Sequence, residues 1–290
     1  MVTEPLQDLA DEPVIRAIEA HSRARAIAWG GLAGARVEDS GDMVLFISPL
    51  PVSWASGVEG ARLNRRNADA RIRHAVDAFR NAGASATWSV GPLTTPADLP
   101  DRLLAHGFRL DHDLPWMAAD LALLPPLARP QELEIQRVTS RALHEAWLTA
   151  MVEGFESNDN QDSRLTLDTL GRRDPNRREG PWVRFAGRFQ GRPVASSGLI
   201  LAGGIAGVYN VATLPAFRRR GFGGAMTHAA MRHARTLEYR VAVLGTSELG
   251  RGVYERLGFR DVCTSRDYLW EPSAPAEVGL IVSSAARPSS

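Results

Sequence analysis

A strand, a glycine-rich turn and a helix follow one another between Ile205 and His233, and this order limits what the chain can fold into. The β-branched, apolar run Ile205 to Thr213 predicts a strand. Alanine and methionine residues then recur at helical spacing, so a helix begins at Phe222 or Gly223. Glycines at a helix start leave backbone N–H groups uncovered, and the helix dipole favours an anion there. Together with the side chains of Arg218 to Arg220, the segment predicts a binding site for a pyrophosphate.

Two common phosphate-binding motifs do not fit this turn. A P-loop needs a Gly-Lys pair, and the chain contains no lysine. The dinucleotide fingerprint needs a third glycine where Met226 stands. The pattern that fits is Arg-x-x-Gly-x-Gly, with Arg218, Gly221 and Gly223. The alternative interpretation is a left-handed glycine turn flanked by solvated arginines.

A second motif lies between Ser247 and Phe259. Val241 to Leu244 form a short apolar strand, and Ser247 is placed to cap the following helix. Tyr254 stands one turn before Gly258, which ends that helix. A half-buried aromatic that closes a helix is the alternative role for this tyrosine.

The two motifs, in this order and at this spacing, resemble those of the GNAT family of N-acetyltransferases. The resemblance implies an α/β (α+β) fold whose mixed, mostly antiparallel sheet is flanked by helices, with a splayed strand pair for acetyl-CoA. It implies Tyr254 as general acid at the coenzyme sulfur. Ser247 stands where many family members have asparagine. The coenzyme-binding residues that it implies are Val211, Ala212, Thr213, Arg218, Arg219, Arg220, Gly221, Phe222, Gly223, Gly224 and Ser247.

The chain length and an internal similarity predict two related halves. Leu257 to Arg260 echoes Ala105 to Arg109, and each follows a strand–helix unit. We expect a degenerate GNAT-like domain over residues 1–125, a linker over 126–131, a catalytic domain over 132–271 and a disordered tail over 272–290. The first copy lacks the glycine loop and has Leu103 at the position of Tyr254, so it should bind no coenzyme. An unrelated N-terminal α+β domain is the alternative.

Local patterns predict the remaining elements. Helices are expected over residues 13–21, 70–82, 96–106, 141–154 and 165–171. Strands are expected over residues 25–34, 35–50, 58–63, 85–90, 117–124, 133–138, 182–190 and 193–201.

Composition excludes several classes of protein. The formal charge of +1 argues against a general nucleic-acid binder, and no run reaches the length of a membrane span. The single cysteine, Cys263, excludes an internal disulfide framework and favours the cytoplasm. The histidines and this cysteine show no ligand spacing, so no metal is expected. Association as a homodimer is left open.

The sequence therefore predicts direct attack of an amine on the thioester of acetyl-CoA. The acceptor, a small molecule or a protein terminus, and the general base are not identified. Candidate bases are Glu153, Glu156, Asp159, Asp162, His228 and His233, each also explained as a solvated or core-edge residue. One alternative function is an acyl-CoA sensor without turnover, and another is a transferase whose donor is a longer acyl-CoA.

Overall fold

The computed structural model describes residues 4–30, 35–50, 52–128, 130–155 and 182–272. Its helices are α1 (Asp11–Gly30), α2 (Ala68–Ala82), α3 (Leu99–Ala105), α4 (Arg141–Phe155), α5 (Phe222–Thr236) and α6 (Glu248–Glu255). Its strands are β1 (Arg36–Asp39), β2 (Val44–Ile47), β3 (Gly57–Glu59), β4 (Ala86–Val90), β5 (Arg109–Asp120), β6 (Leu133–Arg137), β7 (Trp182–Phe189), β8 (Arg192–Ala202), β9 (Ile205–Thr213), β10 (Val241–Gly245) and β11 (Arg260–Trp270). In the described part of the chain, no helix is long and apolar enough to cross a membrane.

All of these strands form one sheet, in which the two halves of the chain mirror each other. The 11 strands have the order β1-β2-β3-β4-β11-β5-β10-β9-β8-β7-β6. The same order of elements occurs from β1 to β5 and again from β7 to β11. It consists of three antiparallel strands, a helix, a strand parallel to the third strand, a short helix and a long strand. The expected mixed, mostly antiparallel sheet with flanking helices is confirmed. The domain boundaries at residues 125 and 132 stay a prediction.

The last strand of each half pairs with the other half. β11 lies between β4 and β5, and β5 lies between β11 and β10. The longest ladder joins these two exchanged strands to each other, from Arg260 opposite Ala118 to Leu269 opposite Arg109. Without the other half, the edge of β4 or β10 and the last strand of the remaining half would be unpaired.

Alternating side chains assign the helices to two faces of the sheet. In β10, Ala242 and Leu244 pack with α5, whereas Val241 and Val243 pack with α1. In β2, Leu45 packs with α2 and its neighbour Val44 belongs to the cluster that contains α4. Because successive strand residues point to opposite faces, α1 and α4 cover one face, and α2 and α5 cover the other. We call the face that is covered by α1 and α4 the α1 face.

One predicted strand was wrong, and another was only partly correct. Residues 25–30 continue α1. The arginine and alanine residues of this stretch have high helix propensity, and Ala26 is buried in the core cluster that also contains residues of β2 and α4. The strand predicted over residues 117–124 is the end of the longer β5, and Leu121–Leu123 form a 3-10 turn. The exposed first half of β5 is a polar stretch without an apolar alternation that would have revealed it. The helix expected over residues 165–171 lies outside the described residues, and so do residues 273–290 of the tail expected over 272–290.

Strands β3 and β4 approach closely at Gly57. A Cβ atom at this position would lie 2.0 Å from the carbonyl oxygen of Thr87 and 3.3 Å from the ring of Phe46. The parallel pairing of Gly57 with Thr87 and of Val58 with Trp88 therefore needs a residue without a side chain.

We predict that Gly57→Ala lowers the free energy of unfolding by roughly 3 kcal/mol, because a backbone clash in a packed core outweighs the small entropic gain of replacing glycine. Urea titration measures the change. Gly91→Ala is the control, because a Cβ there meets only the Ser265 hydroxyl at 3.5 Å. Equal stability of both variants would show that β3 is free to move away from β4.

Candidate active site

The parallel strands β9 and β10 diverge soon after they meet. They pair only at Ala206 with Ala242 and at Gly207 with Val243. Beyond this point β9 runs on to Thr213 and β10 ends at Gly245. A left-handed residue, Asn210 (φ 54°), bulges β9 against β8 at the start of the divergence. A wedge-shaped gap therefore opens between two neighbouring strands of the sheet.

The edge of β9 that faces this gap carries main-chain groups without a partner strand. The amide of Leu214 donates to the carbonyl of Val194 on β8 at 2.9 Å. Because backbone groups alternate along a strand, the amides of Val211 and Thr213 point away from β8 and into the gap, whereas that of Ala212 points to β8. Of these three predicted coenzyme contacts, two are oriented for pairing with an extended ligand.

The glycine loop lies at the wide end of the gap. Arg219 (φ 64°) and Gly221 (φ 77°) are left-handed, and helix α5 begins at Phe222 with no side-chain cap. The amides of its first turn consequently have no intrahelical acceptor. With the helix dipole, they form the anion-binding arrangement that the sequence predicts.

The three arginines of the loop have different surroundings. Arg218 donates through Nε to the carbonyl of Thr213 at 3.2 Å and through Nη2 to that of Gly154 at 2.9 Å. It therefore ties the loop to β9 and to the end of α4. Arg220 lies 5.4 Å from the ring centroids of both Phe189 and Phe217. Arg219 and Arg220 are exposed, so their guanidinium groups are the ones accessible to an anion.

The three remaining loop positions, Phe222, Gly223 and Gly224, differ in how much room the protein leaves for a side chain. Phe222 is 3% exposed and packs in the main core, so only its backbone faces the site. A Cβ on Gly223 would meet only the Thr213 hydroxyl at 3.7 Å, and one on Gly224 only Val253 at 3.4 Å. The protein itself therefore has room for alanine at both glycines. Close approach of a ligand is the remaining physical reason for glycine at these positions.

Helix α6, which follows β10 in the chain, carries Tyr254. The contact between Gly224 and Val253 places α6 against the start of α5. The Tyr254 ring lies over Gly250, whose Cβ would be 2.7 Å from it, and makes an edge contact with Phe259 at 6.0 Å. Burial raises the pKa of Tyr254, so this phenol stays protonated at neutral pH and is able to donate.

Ser247 stands at the N-cap position of α6, but its side chain makes no capping hydrogen bond. Its carbonyl accepts from the amides of Gly250 and Arg251 instead, at 3.0 and 3.1 Å. These are the first hydrogen bonds of the helix itself, so the side-chain cap predicted for Ser247 is not formed.

The candidate bases are not brought together at the gap. His228 bonds the carbonyl of Pro125 at 3.0 Å, and His233 makes an edge contact with Phe185. Burial lowers the pKa of both histidines. Glu153 is exposed on α4. Glu156, Asp159 and Asp162 lie outside the described residues.

A buried polar cluster that the sequence did not reveal lies on the α1 face. It consists of His21, Arg25, Glu59, Tyr209 and Asp267, and we call it the α1-face cluster. The Tyr209 hydroxyl lies 2.9 Å from Nε2 of His21, and Nη2 of Arg25 lies 2.6 Å from Oε1 of Glu59. The hydroxyl of Ser89 donates to Asp267 at 2.6 Å. These residues come from four segments that are far apart in the sequence, namely α1, β3, β9 and β11. Sequence patterns describe only the residues near each one, so they could not predict the cluster.

Burial perturbs the titration of this cluster. It lowers the pKa of His21 to about 4 and raises that of Glu59 to about 7. It also raises the pKa of Tyr209 to about 12 and that of Asp267 above its usual range. His21 is therefore neutral at pH 7, whereas Glu59 exchanges its proton near that pH. No group of three His, Cys, Asp or Glu residues suited to a metal ion occurs in the described ranges.

The first half closes the gap that corresponds to this site. Past the pairing of β3 with β4, the amide of Thr95 donates to Ala61 at 3.2 Å, and the amide of Leu63 donates to Thr95 at 3.0 Å. The Thr95 hydroxyl also donates to the carbonyl of Leu63 at 2.9 Å. The chain itself thus occupies the edge that β9 leaves open in the second half.

Residues 181–261 match a family model described as acetyltransferase (GNAT) domain. Solved structures share the fold over most of the chain. A GCN5-related N-acetyltransferase from Kribbella flavida is 20% identical with a TM-score of 0.67, covering 88% of this chain and 96% of its own. A tandem GNAT protein from the clavulanic acid biosynthesis pathway is 13% identical with a TM-score of 0.58, covering 94% and 99%. A GCN5-related N-acetyltransferase from Sphaerobacter thermophilus is 16% identical with a TM-score of 0.56, covering 89% and 91%. No curated protein matches the chain.

We predict that Gly223→Glu lowers the affinity for acetyl-CoA at least about 100-fold, because a carboxylate would face the phosphates where the free amides now lie. Gly223→Ala should bind acetyl-CoA more weakly than wild type while unfolding at the same or a slightly higher temperature. Calorimetric titration and thermal unfolding measure the two effects. Wild-type affinity in the glutamate variant would rule out this loop as the phosphate site.

Proposed function

We propose that this chain, an acyltransferase of the GNAT family, transfers an acetyl group from acetyl-CoA to an amine. The observation that carries the proposal is the gap between β9 and β10, with the uncapped start of α5 after β9 and the helix that carries Tyr254, α6, after β10. A thioester held there would lie next to main-chain donors, a phenol and an opening through the sheet.

Each group around the gap has a role in this reaction. The amides at the start of α5, with Arg219 and Arg220, bind the pyrophosphate. The amides of Val211 and Thr213 hold the pantetheine arm, and one of them stabilises the charge that develops on the thioester oxygen, an effect typically worth about 3 kcal/mol. Arg218 positions the loop through Thr213 and Gly154.

Tyr254 gives its proton to the departing sulfur. Its raised pKa keeps the phenol protonated across the neutral range, as a general acid requires. A thiolate with a pKa near about 8.5 leaves readily, so the proton assists departure without being essential to it.

The rest of the proposal concerns the surroundings of the reaction. We assign residues 1–125 to a degenerate copy that does not bind coenzyme and residues 132–271 to the catalytic unit. Neither a metal nor a nucleic acid takes part. The single cysteine, Cys263, suits a reducing compartment, so we place the enzyme in the cytoplasm.

Acceptor screening tests the transferase function directly. We expect one acetyl-CoA to bind per chain by calorimetry, because the first-half gap is filled by Thr95, and we expect at least one amine of a broad panel to release free thiol. The panel should include aliphatic amines, aminoglycosides, amino acids and peptides with free N termini. Binding with no amine-dependent thiol release would instead support an acyl-CoA sensor. Two coenzymes per chain would contradict the inactive first half.

We predict that Tyr254→Phe slows acetyl transfer by roughly 10-fold to 100-fold and leaves the dissociation constant of acetyl-CoA near that of wild type. Stopped-flow measurement of thiol release at saturating coenzyme detects the change. Tyr268→Phe is the matched control, since Tyr268 is a buried tyrosine (4% exposed) in another hydrophobic cluster. An unchanged rate in Tyr254→Phe would remove this phenol from the mechanism.

A further inference from the structure

The α1-face cluster lies on the side of the sheet opposite to the glycine loop and Tyr254. Strand alternation establishes this for its three strand residues, Tyr209, Glu59 and Asp267. Their neighbours in sequence pack on the other face; these are Val208, Val58 and Tyr268. Of the three, Tyr209 lies on β9 itself, two residues beyond the last pairing of β9 with β10, so its side chain borders the gap on the α1 face.

The hydrogen bonds of the cluster have a fixed direction. The carbonyl of Ala202 lies 3.1 Å from Nδ1 of His21 and only accepts, so Nδ1 carries the hydrogen. Nε2 then accepts from the Tyr209 hydroxyl, and a lone pair of the phenol oxygen remains for another donor. Gly207 makes this contact possible, because a Cβ there would lie 2.5 Å from Nε2 of His21.

Helix α1 connects His21 with a charged residue pair that includes Glu59 of β3. His21 and Arg25 are one turn apart on α1, and Arg25 holds Glu59 of β3. The Arg25 and Glu59 side chains remain 27% and 10% exposed, so solvent reaches this buried ion pair. The Nε atom of Arg25 is buried without a hydrogen-bond partner among the described residues.

We propose, on the basis of the acetyltransferase function above, that Tyr209 and Glu59 form the subsite for a cationic acceptor amine, and that Glu59 is the base that takes its proton. The first half of the chain would then supply a catalytic residue to the active site of the second half.

Charge favours a cation at this subsite. Glu59 and Asp267 contribute two carboxylates, and Arg25 contributes one guanidinium, so the cluster carries a net negative charge when both acids are ionised. Glu59 faces Arg25 and Glu19 of α1, Asp267 of β11 and Tyr209 of β9, and His112 of β5 lies 3.6 Å from Asp267. A carboxyl that titrates near neutrality is also suited to accept and return a proton.

The reaction balances with the groups named. The Glu59 carboxylate takes one proton from the ammonium, which breaks an N–H bond and leaves a lone pair on nitrogen. That pair forms the C–N bond at the thioester carbonyl, and the C–S bond breaks with its electrons on sulfur. Tyr254 gives its proton to the sulfur, and the second amine proton leaves to solvent or returns to the phenol. The products are the amide, the free thiol of the coenzyme and one proton.

Ligand binding tests the subsite without any turnover. Saturation-transfer NMR with n-butylammonium, and with n-butyrate as the anionic match, should show transfer to the ammonium only. Glu59→Gln should abolish this signal. Asp39→Asn is the matched control, because Asp39 also pairs with an arginine of α1, Arg23 at 2.8 Å, outside the cluster. No signal on the wild type, or an undiminished signal in Glu59→Gln, would overturn the subsite.

The pH profile tests the role of base. With an amine found in the acceptor screen, kcat/KM of the wild type should rise with pH through a pKa near 7, because only ionised Glu59 accepts the proton. In Glu59→Gln, this rise with pH (the acidic limb of the profile) should disappear, and kcat/KM should fall at least about 100-fold. The affinity for acetyl-CoA should stay unchanged. Glu59→Asp should recover part of the rate together with the limb. A purely structural role for Glu59 would leave the limb in place in Glu59→Gln.

Removing Glu59 alone leaves the Arg25 charge buried, which destabilises the fold. If Glu59→Gln does not fold, the double variant Arg25→Met and Glu59→Gln removes both charges and takes its place in every measurement. If no amine is acetylated by the wild type, the transferase function fails. Glu59-dependent binding of n-butylammonium would then still support the subsite, and its proton transfer would be refuted together with the transferase.

Discussion

The incomplete hydrogen-bond ladder between β9 and β10 is the constraint on which this molecule depends. Main-chain donors and acceptors inside a protein need partners, and a strand edge without them costs about as much as the lost hydrogen bonds. The two halves satisfy the same requirement in different ways. In the first half, Thr95 pairs with Ala61 and Leu63, so the edge is closed by the chain itself. In the second half, the amides of Val211 and Thr213 have no partner strand, which makes this edge a site for an extended ligand with amide groups of its own.

The exchange of β5 and β11 explains how an inactive half is retained. Each exchanged strand completes the sheet of the other half, so deleting one half would expose the edges of β4 or β10. The exchange also places β11, with Asp267, between the two halves. A copy that has lost its own ligand gap therefore still contributes to the surface beside the working gap. The proposed role of Glu59 depends on α1, because His21 of this helix reaches Tyr209 and Arg25 of the same helix reaches Glu59.

Local signals made the donor side of the site predictable from sequence. The strand, the glycine loop and the start of α5 lie next to one another in the chain, and Tyr254 follows at a fixed spacing after β10. The α1-face cluster depends on contacts between residues far apart in sequence, such as His21 with Tyr209, and no local pattern encodes such a pair. The strand exchange could not be predicted for the same reason. The sequence indicates where β5 and β11 end, but it does not indicate which strands they pair with. Residues 25–30 were misassigned because a short apolar run before a glycine turn does not by itself distinguish a strand from the end of a helix.

The two faces of the sheet separate two kinds of charge. The α5 side presents amide dipoles and the exposed Arg219 and Arg220, which suit phosphates. In the α1-face cluster, two carboxylates, Glu59 and Asp267, lie near one guanidinium, Arg25, which suits an ammonium group. A cationic amine placed on the α5 side would be repelled by the arginines, and the coenzyme phosphates would be repelled on the α1 side. Opposite charges on the two faces would therefore direct the two substrates to approach from opposite sides, and they would meet only at the gap, where the sheet lacks backbone between β9 and β10.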